Sequence, residues 1–117
     1  VTSSFDLVTL DVPEPAASAV FWSAALALLE VEREDDGRWI VLADSSGVRR
    51  LGLQRGNPRG GGVHLDLRCD PGEFDAEVAR LCALGASQVQ PTRREPYGCI
   101  ANLADPDGYS FDLCAYL

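Results

Sequence analysis

The residues best suited to chemistry lie in "VHLDLRC" (residues 63–69), where His64, Asp66 and Arg68 alternate with Leu65, Leu67 and Cys69. A two-residue period marks a strand with one wet face and one buried face, so these three polar groups project to the same side. His64 is the chain's only histidine. An imidazole exchanges its proton near neutral pH and also ligates metals, so beside Asp66 or a second carboxylate it can act as a general base or as one corner of a metal site. Near the other end, "GYSFDLCAY" sets Ser110 and Asp112 against Phe111 and Leu113 in the same alternation. So many polar groups on one side would be costly in a dry core and suit a wet, ligand-accepting cavity. The chain has no GxSxG elbow, no glycine-rich phosphate loop after a strand and no HExxH helix, which removes the common nucleophile, nucleotide and metalloprotease readings.

The elements that must hold these residues are legible from periodicity. "FDLVTLDV" reads as a strand, with Val8, Leu10 and Val12 on one face and Leu7, Thr9 and Asp11 on the other. "PEPAASAVFWSAALALL" follows as a helix that begins at its prolines, with Val20, Phe21, Ala24 and Leu28 as the expected apolar stripe. "LLEVERE", "GRWIVLAD" and "GVRRLGLQR" are three strand-like runs separated by the turns "DDG" and "DSSG". "GNPRGGG" (residues 56–62) then breaks the chain as a linker. After it come the strand of His64, a helix "DPGEFDAEVARLCALGA", and the strands "SQVQP", "GCIANLAD" and "GYSFDLCAY". In that helix Asp70 and Glu73 are spaced like a capping box, Phe74, Val78 and Leu81 share a face, and Gly85 is placed to end it.

The same order of elements therefore occurs twice, as two β-α-β-β-β modules covering about residues 1–56 and 62–117. "WIVLADSSG" aligns with "IANLADPDG", sharing Leu-Ala-Asp and the turn glycine, and the opening strands align Leu7 with His64. The expected core beneath the helices is Val8, Leu10, Leu65, Leu67, Phe111 and Leu113.

Bulk properties narrow the partners. At 117 residues the chain suits a single domain with its own core. The net charge is −8 and every basic residue is an arginine, so there is no basic stripe for nucleic acid or for an anionic membrane surface. A neutral or cationic small molecule suits this field better. The longest apolar stretch, "AVFWSAALALL", is too short to cross a bilayer, and no charged-then-apolar leader precedes it. A soluble, cytoplasmic chain is expected. Cys69, Cys82, Cys99 and Cys114 form no CxxC pair and are expected as free, buried thiols.

The chain resembles the glyoxalase, bleomycin-resistance and extradiol-dioxygenase superfamily, also called vicinal oxygen chelate proteins, and within it the small glyoxalase-like domain proteins. The resemblance is carried by "AVFWSAALAL", "VHLDLRC", "EVARLCALGA" and above all "LADPDGYSFDL", and it covers nearly the whole chain. It implies an α+β fold in which the two modules form a curved mixed sheet, an open barrel-like cleft flanked by helices. It also implies that members often dimerise, and a homodimer is expected.

In metal-dependent members the ligands come from the opening and closing strands of both modules. Carried over by position, the resemblance gives Leu7 and His64 from the opening strands, Asp112 from the last strand, and Leu51 or Gly52 from the remaining one, with alternation favouring Gly52. His64 and Asp112 are thus the candidate metal or catalytic residues, with Thr9, Asp11 and Asp66 on cleft-facing parity as sources of a third donor. Two donors are too few to hold a divalent ion tightly, so no metal or other cofactor is expected.

The leading expectation is a metal-free small-molecule-binding protein that holds an apolar or aromatic ligand. Its ligand-binding residues are His64, Asp66, Asp112, Asn102, Trp39, Thr9 and Tyr116, the aromatics serving as stacking surfaces. The alternatives are a metal-dependent or histidine-based lyase or isomerase of the same superfamily, and a dimeric interaction module with a vestigial cleft. Arg49, Arg50 and "TRRE" are secondary candidates for carboxylate recognition.

Overall fold

The computed structural model describes residues 5–59 and 64–117. It contains β1 (Val8–Val12), α1 (Pro15–Leu26), β2 (Leu29–Glu34), β3 (Trp39–Ala43) and β4 (Arg49–Arg55), then β5 (Leu65–Arg68), α2 (Phe74–Leu84), β6 (Ser87–Gln88), β7 (Arg93–Glu95), β8 (Gly98–Ala104) and β9 (Ser110–Tyr116). Backbone contacts divide the chain into two compact units that meet at Pro58 and Arg59. Residues 60–62 of the expected linker lie outside the described residues.

The two units share one topology. In the first the strand order is β1-β4-β3-β2, and in the second it is β5-β9-β8-β6. The opening strand pairs in parallel with the closing strand in each case, and the remaining pairs are antiparallel. The fold is α+β, with two βαβββ modules and mixed sheets, as the repeat and the resemblance implied. One element is additional: β7 also pairs with β8. β6 and β7 together take the place that β2 fills in the first unit, and the segment between them contains Pro91, which has no N–H to give to a ladder.

Strand alternation builds each core. Ile40, Leu42, Leu51, Leu53, Leu10 and Val12 are buried in the first unit, and Phe111, Leu113, Ala101 and Leu103 in the second. Val8, Leu65 and Leu67, expected to be buried, are only half-buried, because β1 and β5 are the edge strands of their sheets. The stripe on α1 also differs from expectation. Pro15, Ser18, Ala19, Phe21, Trp22 and Ala25 face inward, while Val20 is 73% exposed and Ala24 is exposed. A helix rich in alanine is apolar around most of its circumference, so composition alone does not orient it.

On α2, Phe74 and Leu81 are buried as expected and Val78 is half-buried. The capping box does not form: no side chain caps the helix, and Glu73 N–H is taken up by the Asp70 carbonyl at 3.0 Å, making a tight turn ahead of the helix. Gly85 ends α2 at φ 124°, its N–H returning to Cys82 and Leu81 carbonyls. The four cysteines are free; Cys114 is buried and the other three are half-buried. Among the described residues no helix is long and apolar enough to cross a membrane.

The repeated Leu-Ala-Asp turns match down to single hydrogen bonds. Asp44 Oδ1 accepts from the N–H groups of Ser46 and Val48, and Asp105 Oδ1 accepts from those of Asp107 and Tyr109. In both turns the backbone closes from the glycine N–H to the aspartate carbonyl at 2.9 Å. These aspartates fix the entry into β4 and β9, the strands that carry Gly52 and Asp112.

Candidate functional site

In the second unit, Asp66 on β5 pairs with Asp112 on β9, and Asp112 pairs with Asn102 on β8. Directly paired residues share a face, so three polar side chains stand in a row across three strands. His64 lies two residues before Asp66 and has the same parity. Its Nε2 is 3.3 Å from Asp66 Oδ1 and 3.5 Å from Asp112 Oδ2.

The other side of Asp112 is tied into the sheet. Asn102 Nδ2 donates to Asp112 Oδ1 at 2.7 Å, the orientation a carboxylate requires because it can only accept. Gln90 Nε2 donates in turn to Asn102 Oδ1. The two oxygens of Asp112 are thereby divided, Oδ1 held by the amide chain and Oδ2 turned to the imidazole. Side-chain exposure follows the same division, at 22% for Asp112 against 51% for His64 and 69% for Asp66. An anchored carboxylate with two solvent-reaching neighbours can accept hydrogen bonds from a bound molecule.

Gln90 was not singled out by sequence reasoning. "SQVQP" read as a plain strand, and the signal lay in the pairing, since Val89 N–H bonds the Asn102 carbonyl at 2.9 Å and brings residue 90 alongside.

The same three ligands test the fit of a divalent ion. His64, Asp66 and Asp112 each offer a donor atom, all within 4.8 Å of one another. The two separations of 3.3 and 3.5 Å exceed the ~2.8 Å of a strong charged hydrogen bond. His64, Asp66 and Asp112 could together hold an ion, with Asp66 as the third donor that the opening and closing positions lack.

Thr9 and Trp39 belong to the first unit. There Thr9 pairs with Gly52, and Gly52 with Val41, so this row answers to Asp66, Asp112 and Asn102, and Leu7 answers to His64. The register settles the open choice between Leu51 and Gly52: β3 and β4 shift by one residue between Leu42 and Ala43, leaving Arg50 as the extra residue and aligning Gly52 with Asp112. Leu7 and Gly52 offer no ligand atom, Thr9 offers only a hydroxyl, and the place of the carboxylate is filled. A Cβ at residue 52 would lie inside the van der Waals envelope of Trp39 Cη2, 2.9 Å from Cζ3 and 3.0 Å from Thr9 Oγ1. The indole is pinned over Gly52 by its Nε1, which donates to Glu32 Oε2 at 2.6 Å. Arg49 then bridges Glu32 Oε1 at 3.2 Å and Asp6 Oδ1 at 3.0 Å.

Tyr116 closes β9 in the second unit, four residues beyond Asp112 and so about 13 Å along the strand. The Arg68 guanidinium lies 5.0 Å from its ring centroid, a cation–π contact, and Tyr116 is not brought to His64. Three of the arginines considered for carboxylate recognition are engaged internally: Arg50 with Asp44 at 2.9 Å and Arg94 with Asp75 at 2.8 Å, besides the bridge made by Arg49.

A family model described as the glyoxalase-like domain matches residues 7–114. No curated protein is detectably similar. Among solved structures, a protein of Agrobacterium tumefaciens is 25% identical over 99% of both chains, with a TM-score of 0.79. A glyoxalase/bleomycin resistance protein/dioxygenase family enzyme of Burkholderia phytofirmans is 18% identical over 98% of this chain and 100% of its own, with a TM-score of 0.82. A fosfomycin resistance protein of Listeria monocytogenes, in complex with Mn(II) and a dihydroxypropylphosphonic acid, is 19% identical over 100% of this chain and 93% of its own, with a TM-score of 0.80.

Proposed function

This chain belongs to the glyoxalase-like domain family, and from that premise we propose that it is a small-molecule-binding protein whose polar anchor is the His64, Asp66 and Asp112 cluster of the second module. The ligand is an apolar or aromatic molecule bearing a cationic or hydrogen-bond-donating group, engaged directly and without a metal ion. The observation that carries this reading is the division of Asp112, with Oδ1 satisfied by Asn102 at 2.7 Å and Oδ2 presented beside His64 at 3.5 Å. Two carboxylates facing one imidazole, in a chain of net charge −8, favour a donor over an acceptor in the ligand. The metal-free reading is supported by the first module, where the positions that answer to His64 and Asp112 hold Leu7 and the covered Gly52.

A second reading has a specific observation in its favour, the convergence of three donor atoms within 4.8 Å. Under it, His64, Asp66 and Asp112 hold a divalent ion, which when bound would polarise an oxygen of the ligand as a Lewis acid. Asn102 and Gln90 keep their role in both readings, orienting the carboxylate.

One experiment separates the two. The imidazole resonances of His64, unambiguous in a chain with one histidine, are followed during titration with zinc chloride, manganese chloride and a panel of aromatic amines with their alcohol counterparts. The metal-free reading expects a saturable response to amines, lost in Asp66→Asn and Asp112→Asn, and no stoichiometric response to either ion. Stoichiometric ion binding at micromolar concentration would give the second reading first place.

A further inference from the structure

We infer that the ligand held by the second-module cluster is a zwitterion, with an ammonium group on Asp66 and Asp112 and a carboxylate about 7 Å away engaged by Arg68 and Arg93. The inference rests on the proposed amine-binding reading of that cluster and adds the chemistry of the ligand's other end.

Strand register lays out two rows of opposite charge on one sheet face. Asp66, Asp112 and Asn102 form the first row. Two residues away on each strand, Arg68 on β5 pairs with Cys114 on β9, Cys114 with Ile100 on β8, and Ile100 with Arg93 on β7. A step of two residues keeps the face and moves about 7 Å along the strand. The second row therefore has an arginine at either end and an apolar floor between them, made of Cys114 at 6% exposure and the half-buried Ile100.

Both arginines are open to a ligand. Arg68 and Arg93 are exposed and make no ion pair among the described residues, whereas Arg33, Arg49, Arg50, Arg80 and Arg94 are each paired with a carboxylate. Arg68 is also held in place, its guanidinium 5.0 Å from the Tyr116 ring centroid. A guanidinium stacked on a ring keeps its in-plane N–H donors clear, and that edge matches the two oxygens of a carboxylate.

Charge then decides the class of ligand. A simple anion is repelled by a chain of net charge −8, but a molecule that carries its own ammonium group is neutral overall and escapes that penalty. The two rows also fix its direction, because a reversed ligand sets ammonium against guanidinium and carboxylate against Asp66 and Asp112.

The probe 4-(aminomethyl)benzoate carries both charges at this spacing, while benzylamine and 4-methylbenzoate carry one each. Binding is measured at neutral pH in chelator-containing buffer by isothermal titration calorimetry, with the imidazole resonances of His64 followed in parallel. The zwitterion should bind about tenfold more tightly than benzylamine, and 4-methylbenzoate should bind most weakly. Arg68→Gln should remove most of that advantage, and Arg68→Gln combined with Arg93→Gln all of it, with benzylamine not weakened in either variant. Arg94→Gln takes a charge from the opposite face of the same sheet and should leave the advantage intact. Asp112→Asn should weaken both amines. A zwitterion no tighter than benzylamine overturns the inference, and if benzylamine still binds and is lost in Asp112→Asn, the amine-binding reading stands without it. Equal weakening of the zwitterion in Arg94→Gln also overturns it, as an effect of net charge alone. Absence of saturable binding by any of the three probes overturns both.

Discussion

Gly52 and Asp112 occupy one position of a duplicated module. Gly52 faces Thr9 across β4 and β1, and Asp112 faces Asp66 across β9 and β5. Each is reached from its Leu-Ala-Asp turn along the same ladder, apart from the single-residue shift that sets Arg50 aside in the first module. One position bears an anchored carboxylate and the other bears no side chain, with an indole lying over it.

That indole makes Gly52 intolerant of any side chain. Gly52→Ala should force Trp39 off its seat and destabilise the protein by about 1–3 kcal/mol, with a red-shifted tryptophan emission as the ring reaches water. Combining it with Trp39→Leu should cost less than the sum of the two single changes, a coupling that urea denaturation of the four proteins would measure.

Asn102→Ala removes the donor that holds Asp112 Oδ1. The stability loss should be about 1 kcal/mol, with a larger proportional effect on aromatic-amine binding, because the freed carboxylate no longer presents Oδ2 to a ligand in a fixed direction. Gln90→Ala, one step further out, should weaken binding less. Calorimetric titration of each variant with the amine that binds wild type best would check the order.

Asp105 is 3% exposed and accepts two backbone N–H groups from its own turn. Asp105→Ala leaves both donors without a partner near the core and should cost about 2–3 kcal/mol. Asp44 does the same work in a more exposed turn, where water can take its place, so Asp44→Ala should cost less. Chemical denaturation at pH 7 gives both values.

Two carboxyls should impose opposite pH dependences. Burial first, and the Asp105 charge second, hold the Asp107 carboxyl above the usual range. A raised folded pKa means that ionising Asp107 costs stability as pH climbs from the unfolded value of about 3.9 through the folded one. Asp107→Asn should therefore raise the melting temperature at pH 7 and change little at pH 3. Glu77 is held low chiefly by its hydrogen bond from Arg80, so its contribution is present above the unfolded value of about 4.3 and fades as pH falls through the folded one. Glu77→Gln should lower the melting temperature at pH 7, by an amount that shrinks below about pH 4. Melting curves across pH 2.5–8 would display the crossing.

Much of this is legible in the amino-acid sequence. Alternation put His64, Asp66 and Asp112 on one face because a strand's period is fixed by backbone geometry, and the paired Leu-Ala-Asp turns set the module register to within one residue. That residue was Arg50, since a bulge leaves no mark in an alternating pattern of this length. The inward face of α1 was also hidden: alanines surround it, so Val20 looked as good a core residue as Trp22. The support given to Asp112 by Gln90 depends on which strands lie side by side, a relation between segments that local periodicity does not carry. The seat of Trp39 on Gly52 was likewise invisible, because a glycine in a strand signals a close approach without naming what approaches.

The seat of Trp39 couples two positions of the first module. A carboxylate at residue 52 requires the indole to be removed first, and removing it abandons the hydrogen bond from Nε1 to Glu32 Oε2. Single substitutions at residue 52 are therefore deleterious in the background where they occur, whatever they would be worth as ligands. The bare backbone at that position is held in place by its neighbour, and the second module, where the corresponding residue is Asp112, is the one open to a change of chemistry by point mutation.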